Sequence, residues 1–319
     1  MHRRQFLGLS IAAGLSLGGL TGCQPGTPLR IGIHPWIGYE PLYLAEEFGW
    51  LADSVRLVKG QSSTDSLQGL MDGSLDGAAL TLDETLRLHD HGVNVVVVGV
   101  ADVSVGADVV MADPAIQTLR DIRGKRVAVE LSGVSGVMLV ELLQRAGLER
   151  NDIVEINLPV NEHPEAWRRG EVDVSICYEP TASALEGLGA NRLFDSRQLP
   201  ETIFDVLVVR QEKARSRKAA VKDLLQAHFA GLNHLVRNQH DAIYRVATRQ
   251  NISVDAVRRA LATVALPDLT ANQRYLAPTG RLEAVVLKLA HIMSSEGLIS
   301  EVPLNYRFCD ASFLPRSVA

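Results

Sequence analysis

Between residues 30 and 100 the sequence alternates short strand-like runs with stretches of helical spacing. Such a βαβαβαβ pattern admits an α/β architecture with right-handed crossovers and little else. In the first unit, residues 30–33 place Ile31 and Ile33 on one strand face, and Pro35, which cannot donate a ladder hydrogen bond, ends the strand. Pro41 suits the first turn of a helix, Leu42, Leu44, Ala45 and Phe48 give it an apolar stripe, and Gly49 suits a left-handed cap. His34, Trp36, Tyr39 and Glu40 thus fall at the carboxyl end of a strand, where open α/β sheets bind ligands. Further strands are expected at 54–58, 76–80 and 94–100, the last a valine run suited to burial on both faces. Ser62 or Ser63 would cap a helix to about residue 71, and Asp83 would cap one over 84–89.

After Asp113 and Pro114 a second series begins, with strands expected at 126–130, 153–158, 172–177 and 192–194 and helices between them. From residue 217 the spacing becomes helical, with Val221, Leu224, Leu225, Phe229 and Leu232 on one face and further amphipathic segments at 254–264 and 282–294. A chain of 319 residues exceeds what one core usually covers. The expected plan is therefore two lobes, residues 29–106 with 210–319 and residues 107–209, each a doubly wound sheet flanked by helices. Extended segments at 105–111 and 203–210 would be two crossings forming a hinge.

The first 22 residues read as a signal peptide. Arg3 and Arg4 precede an apolar run too short to span comfortably, and LTGC closes it at Cys23. LTGC resembles the bacterial lipobox, which implies lipidation of Cys23, a tether over 23–28 and a membrane-anchored domain on the outer side of the cell envelope. RRQFLG also resembles the twin-arginine export motif, so the export route stays open between that and the general one. Cys177 and Cys309 are expected as buried free thiols. With 37 acidic and 32 basic residues spread evenly, the net charge of −5 offers no basic stripe for nucleic acid.

No P-loop, G-x-S-x-G or dinucleotide fingerprint is present. The histidine pairs lack a third ligand at workable spacing, so neither a metal nor a cofactor is expected. Adjacent acids such as Asp83 and Glu84 are more simply solvated charge than an acid–base pair, and an enzyme is not expected.

Four blocks carry a resemblance: IGIHPWIGYEPLYLAEEFGWL, MDGSLDGAALT, LRDIRGKRVAVELSGVSG and WRRGEVDVSICYEP. In this order and spacing they resemble the solute-binding proteins of bacterial ABC importers of the nitrate, sulfonate and taurine type, related to thiamine-pyrimidine binding and synthesising proteins. The resemblance implies a two-lobe periplasmic-binding-protein fold of type II. It further implies a small-molecule ligand in the cleft and delivery by a monomeric receptor to a membrane permease. It places pocket loops on Trp36, Tyr39 and Glu40, on Thr81 and Asp83, on Ser132, Gly133, Val134 and Ser135, and on Tyr178 and Glu179. The alternatives are a pyrimidine-synthase-like enzyme, though the cysteine-rich iron motif of those enzymes is missing, and a sensor for a membrane signalling partner. Glu40, Asp83, Asp102, Glu130 and Glu179 stand near strand ends, against His34 as the one candidate positive group. That balance favours a neutral or amine-bearing, even heteroaromatic, ligand over an anion, with Asp83 and Glu179 as its expected partners.

Overall fold

The computed structural model describes residues 27–199, 202–278, 280–302 and 307–317. The expected signal peptide, the lipid site at Cys23 and the tether up to residue 26 lie outside the described residues. In chain order the strands are β1 Leu29–Ile33, β2 Val55–Lys59, β3 Gly77–Thr81, β4 Val95–Ser104, β5 Val109–Ala112, β6 Arg126–Val129, β7 Val154–Asn157, β8 Val174–Cys177, β9 Asn191–Asp195, β10 Phe204–Arg210 and β11 Val264–Ala265. They make two sheets, ordered β11-β4-β10-β3-β1-β2 and β7-β6-β8-β5-β9.

β1 runs parallel to β2 and β3, and helices Glu40–Glu47 and Ser63–Asp72 lie between these strands in the chain. β10 enters antiparallel between β3 and β4. This corrects the expected lobe boundary: residues 204–209 belong to the middle of the first sheet, not to the second lobe. β4 leaves the first sheet toward the second and β10 comes back, so the two run in opposite directions. The second sheet contains the matching reversal, with β5 antiparallel to β8 and β9 while β6 is parallel to β7 and β8. Both sheets are mixed, where parallel winding was expected.

The valines of β4 serve two cores, because successive strand residues face opposite sides. Val96 and Val98 pack with Val221, Leu224 and Leu225 of helix Lys218–Arg237, whereas Val95 and Val97 pack with Leu282, Val286 and Leu289 of helix Arg281–Ser295. Helix Lys218–Arg237 lies so close to helix Glu40–Glu47 that a Cβ on Gly231 would come within 1.8 Å of the Pro41 carbonyl oxygen. The second sheet is likewise covered on both sides, by a core around Val127, Met138 and Ile176 and by another around Met111, Ala182 and Leu185.

The two connections between the sheets, residues 105–108 and 196–203, are tied at their roots. The Ser196 hydroxyl lies 2.7 Å from that of Ser104 and accepts from the Gly106 N–H at 2.7 Å. Cys177 and Cys309 are buried and unpaired. Among the described residues no helix is long and apolar enough to cross a membrane.

Candidate functional site

The carboxyl ends of the parallel strands of both sheets meet in one cleft. On the first sheet β1 stops at Ile33, and a short turn over Ile37–Tyr39 leads into helix Glu40–Glu47, which carries Pro41 in its first turn. Trp36 Nε1 donates to Asp102 Oδ2 at 2.9 Å, and the Tyr39 hydroxyl donates to Asp205 Oδ1 at 2.5 Å. His34 is buried, with its ring edge against Tyr39 at 5.2 Å. Burial lowers its pKa to about 4, so it is neutral at physiological pH. Glu40 turns away from the cleft: its carboxylate is held by Arg249 and accepts from Gln250 at 2.6 Å. This corrects its expected place in the pocket, since Arg249 and Gln250 satisfy it in the body of the lobe.

At the end of β3 the N-cap of helix Leu82–Asp90 is Thr81, not Asp83, and Glu84 accepts from the Thr81 backbone N–H at 2.8 Å. Asp83 falls inside the first turn, where it accepts from the Thr81 hydroxyl at 2.7 Å and lies 3.8 Å from Arg87. It does not line the cleft; Glu84 does. Burial, reinforced by neighbouring Asp83, pushes the Glu84 carboxyl up to about 8.

On the second sheet, Gly133 caps helix Val134–Ala146 just beyond β6. Glu130 reaches across the cleft, accepting from the Thr64 hydroxyl at 2.5 Å on the first lobe and from the Val160 N–H at 3.2 Å on its own. Ser132 also meets Thr64, at 3.1 Å, on the cleft's exposed rim. Beyond β8, Tyr178 sets its ring edge-on to Trp36 at 5.3 Å, so the two aromatics face each other from opposite lobes. Glu179 bonds the Ser183 N–H at 3.1 Å and faces its own helix, away from the cavity where it was expected.

These elements enclose a cavity of about 20 Å³, room for one water-sized group. His34, Trp36, Tyr39, Ser63 and Thr81 form one wall, and Gly133, Val134, Ser135 and Tyr178 form the other. Four carboxyl groups converge on it, those of Glu84, Asp108, Glu130 and Asp205, and no lysine or arginine stands among the described lining residues. Burial pushes Asp108 up to about 7, and burial together with Asp102 raises Asp205 well above the usual carboxylate range. Sequence reading missed Ser63, Glu84, Asp108 and Asp205. The available signal for the last two was a lone acid inside an apolar run, GADVV and FDVLVV, because an acid so placed is rarely buried without a specific role.

A family profile described as NMT1/THI5 like matches residues 36–242, well over half of the chain. The chain belongs to that family. The match takes in Trp36 and Tyr39, both connections and every acid of the cavity. This NMT1/THI5-like chain is 24% identical over 210 residues to the taurine-binding periplasmic protein of Escherichia coli strain K12, covering 63% of this chain and 64% of that protein. It thus spans a little under two thirds of that curated relative. Its structure is similar to the periplasmic aliphatic sulphonate binding protein SsuA from Escherichia coli, with a TM-score of 0.73 and 20% identity over 90% of this chain and 99% of that one. It is also similar to a ligand-binding component of an ABC-type import system from Staphylococcus aureus, with a TM-score of 0.75 and 17% identity over 91% of this chain and all of that one. At such identities the likeness establishes the two-lobe fold of periplasmic binding proteins.

Proposed function

We propose that this NMT1/THI5-like chain is the extracytoplasmic receptor of an ABC importer, a monomer tethered through lipid on Cys23 that captures a small solute between its lobes and delivers it to a permease. The lobes would be residues 29–104 with 204–317 and residues 109–195, joined by the two tied connections. Capture needs no covalent step, only contacts to both lobes that stabilise the closed arrangement more than the open one. Trp36 and Tyr178 would supply flat apolar walls, and Thr81, Ser135 and the N–H groups near Gly133 would orient the solute.

The observation that carries the ligand class is the charge of the lining: four carboxyl groups, no base and a neutral histidine. A desolvated anion there would find no basic side chain to pair with, whereas a protonated amine would replace protons on acids that burial has made reluctant to ionise. We therefore assign a solute that bears a positive nitrogen. Taurine, which names one relative, has such a nitrogen as well as a sulfonate, and the N-terminus of helix Val134–Ala146 suits the latter.

A thermal-shift panel of alkylamines, aminopyrimidines, taurine, ethanesulfonate, nitrate and dicarboxylates tests the assignment, since ligands that bind only the folded state raise its melting temperature. Amine-bearing compounds are expected to raise it. Stabilisation by ethanesulfonate or nitrate with none from any amine would overturn the ligand class. The anchor is tested separately: fatty-acid labelling of the full chain should be lost in Cys23→Ser, and equal labelling of that variant would exclude Cys23 as the lipid site.

A further inference from the structure

At the cavity wall lies a pair of acids, Asp102 and Asp205, of which the binding account uses only the second. Asp102 and Asp205 stand directly opposite each other on antiparallel β4 and β10, and both are buried. Directly opposite residues of an antiparallel pair point to the same face of the sheet, so their side chains are neighbours. Each also accepts from one residue of the aromatic loop, Asp102 from Trp36 Nε1 at 2.9 Å and Asp205 from the Tyr39 hydroxyl at 2.5 Å. Gly38, between those two donors, is pressed against the pair: a Cβ there would come within 1.7 Å of Asp102 Oδ2. The other Asp102 oxygen, Oδ1, is buried with no donor among the described residues.

Two ionised carboxylates in contact inside a protein repel each other, and a buried acceptor without a donor is costly. One proton removes both problems. We propose that Asp102 and Asp205 hold a single proton between them and act together as positioning residues, fixing Trp36 and Tyr39 as the first-lobe wall of the cavity. The groups facing the pair leave no other source of relief. They are His34 and Tyr39 from the aromatic loop, Glu84 from helix Leu82–Asp90, Asp108 from the connection after β4, and Tyr178 from the second lobe. Burial keeps His34 neutral, and the remaining groups are acids or phenols. Burial disfavours ionisation of both partners, and the titration is a property of the pair.

The pair therefore presents one negative charge to the cavity, and one acceptor to each aromatic donor. Only the description of Trp36 and Tyr39 as a ligand wall rests on the proposed function; the proton count is read without any ligand.

Infrared difference spectra at pH 7 between the unmodified domain and Asp102→Asn/Asp205→Asn should show the loss of one protonated-carboxyl band and one carboxylate band. Loss of two carboxylate bands, or of two protonated bands, would overturn the shared proton. Should the double variant fail to fold, Asp205→Asn alone should lose one protonated band and no carboxylate, because the asparagine amide replaces the proton as donor to Asp102. Loss of a carboxylate band would again overturn the proposal. The positioning role is read from Trp36 emission in a Trp50→Phe/Trp167→Phe background. Asp102→Asn, which keeps an acceptor for the indole, should retain the emission maximum, and Asp102→Ala should shift it to the red. An unshifted maximum in Asp102→Ala would show that the pair does not fix Trp36.

Discussion

Glu84 and Asp108 are acids that folding has placed where ionisation is unfavourable, so a cation beside them gains more than it would from a surface carboxylate. Truncating one member of a buried charged pair typically costs about 2–5 kcal/mol, which is about thirtyfold to several thousandfold in affinity. Calorimetric titration with the strongest amine stabiliser should show losses in that range for Glu84→Gln and Asp108→Asn. Asp83→Asn and Glu179→Gln should stay within about threefold of the unmodified protein, because Asp83 is turned toward Thr81 and Arg87 and Glu179 toward Ser183. Equal losses in both pairs of variants would contradict the placement of the acids. Trp36, Tyr39, Thr81, Ser135 and Tyr178 were legible in the sequence, since each lies at or soon after the end of a strand, and a strand end in this fold class is a mouth. Glu40 was not, because its direction is set by Arg249 and Gln250, partners that arrive only with a much later helix. Asp205 was hidden for a related reason: its strand was assigned to the second lobe, away from its Tyr39 partner.

The elements themselves followed from spacing, and their neighbours did not. Helix Lys218–Arg237 announced its apolar face, but nothing in that face specified that Gly231 would sit against the Pro41 backbone. A side chain there must push two helices apart. Overpacking of this kind costs about 1–3 kcal/mol, and in a chain this long each kcal/mol is worth about 2–4 °C of melting temperature. Gly231→Ala should therefore lower the melting temperature by about 2–12 °C in scanning fluorimetry. Gly187, in helix Thr181–Gly187 with nothing near its missing Cβ, should respond to alanine with no loss or a small gain. Matching losses at both positions would refute the close helix contact. β10 illustrates the same limit in a sheet. Its apolar run states that it is a buried strand, but not which strands it lies between, because a strand's own periodicity does not name its partners.

At the scale of the molecule, the two-lobe plan was readable from chain length, the βα alternation and four ordered blocks, and the family match bears out the resemblance they carried. What the sequence did not convey is the return of the chain into the first sheet, which brings Asp205 of β10 beside Tyr39 and completes the acidic cavity. Contacts across the cleft include Trp36 on Tyr178, Thr64 with Glu130 and Ser132, and Val137 within the core of the first lobe, and a solute bridging the lobes adds to what holds them together. The central claim is that this solute carries a positive nitrogen held by the cavity's acids, and the pH dependence of its affinity tests that directly. Asp108 and Glu84 hold protons up to about pH 7 and 8 in the empty protein, and a bound cation favours their ionised forms. The empty protein therefore binds more protons than the complex, and affinity must rise with pH, by up to about tenfold per pH unit for each proton displaced. The amine stays charged throughout, since an alkylammonium has a pKa near 10, about that of lysine. Calorimetric titration of the strongest alkylamine stabiliser at pH 6 and pH 8 should give tighter binding at pH 8 with protons released to the buffer, whereas equal or weaker binding at pH 8 would contradict the account.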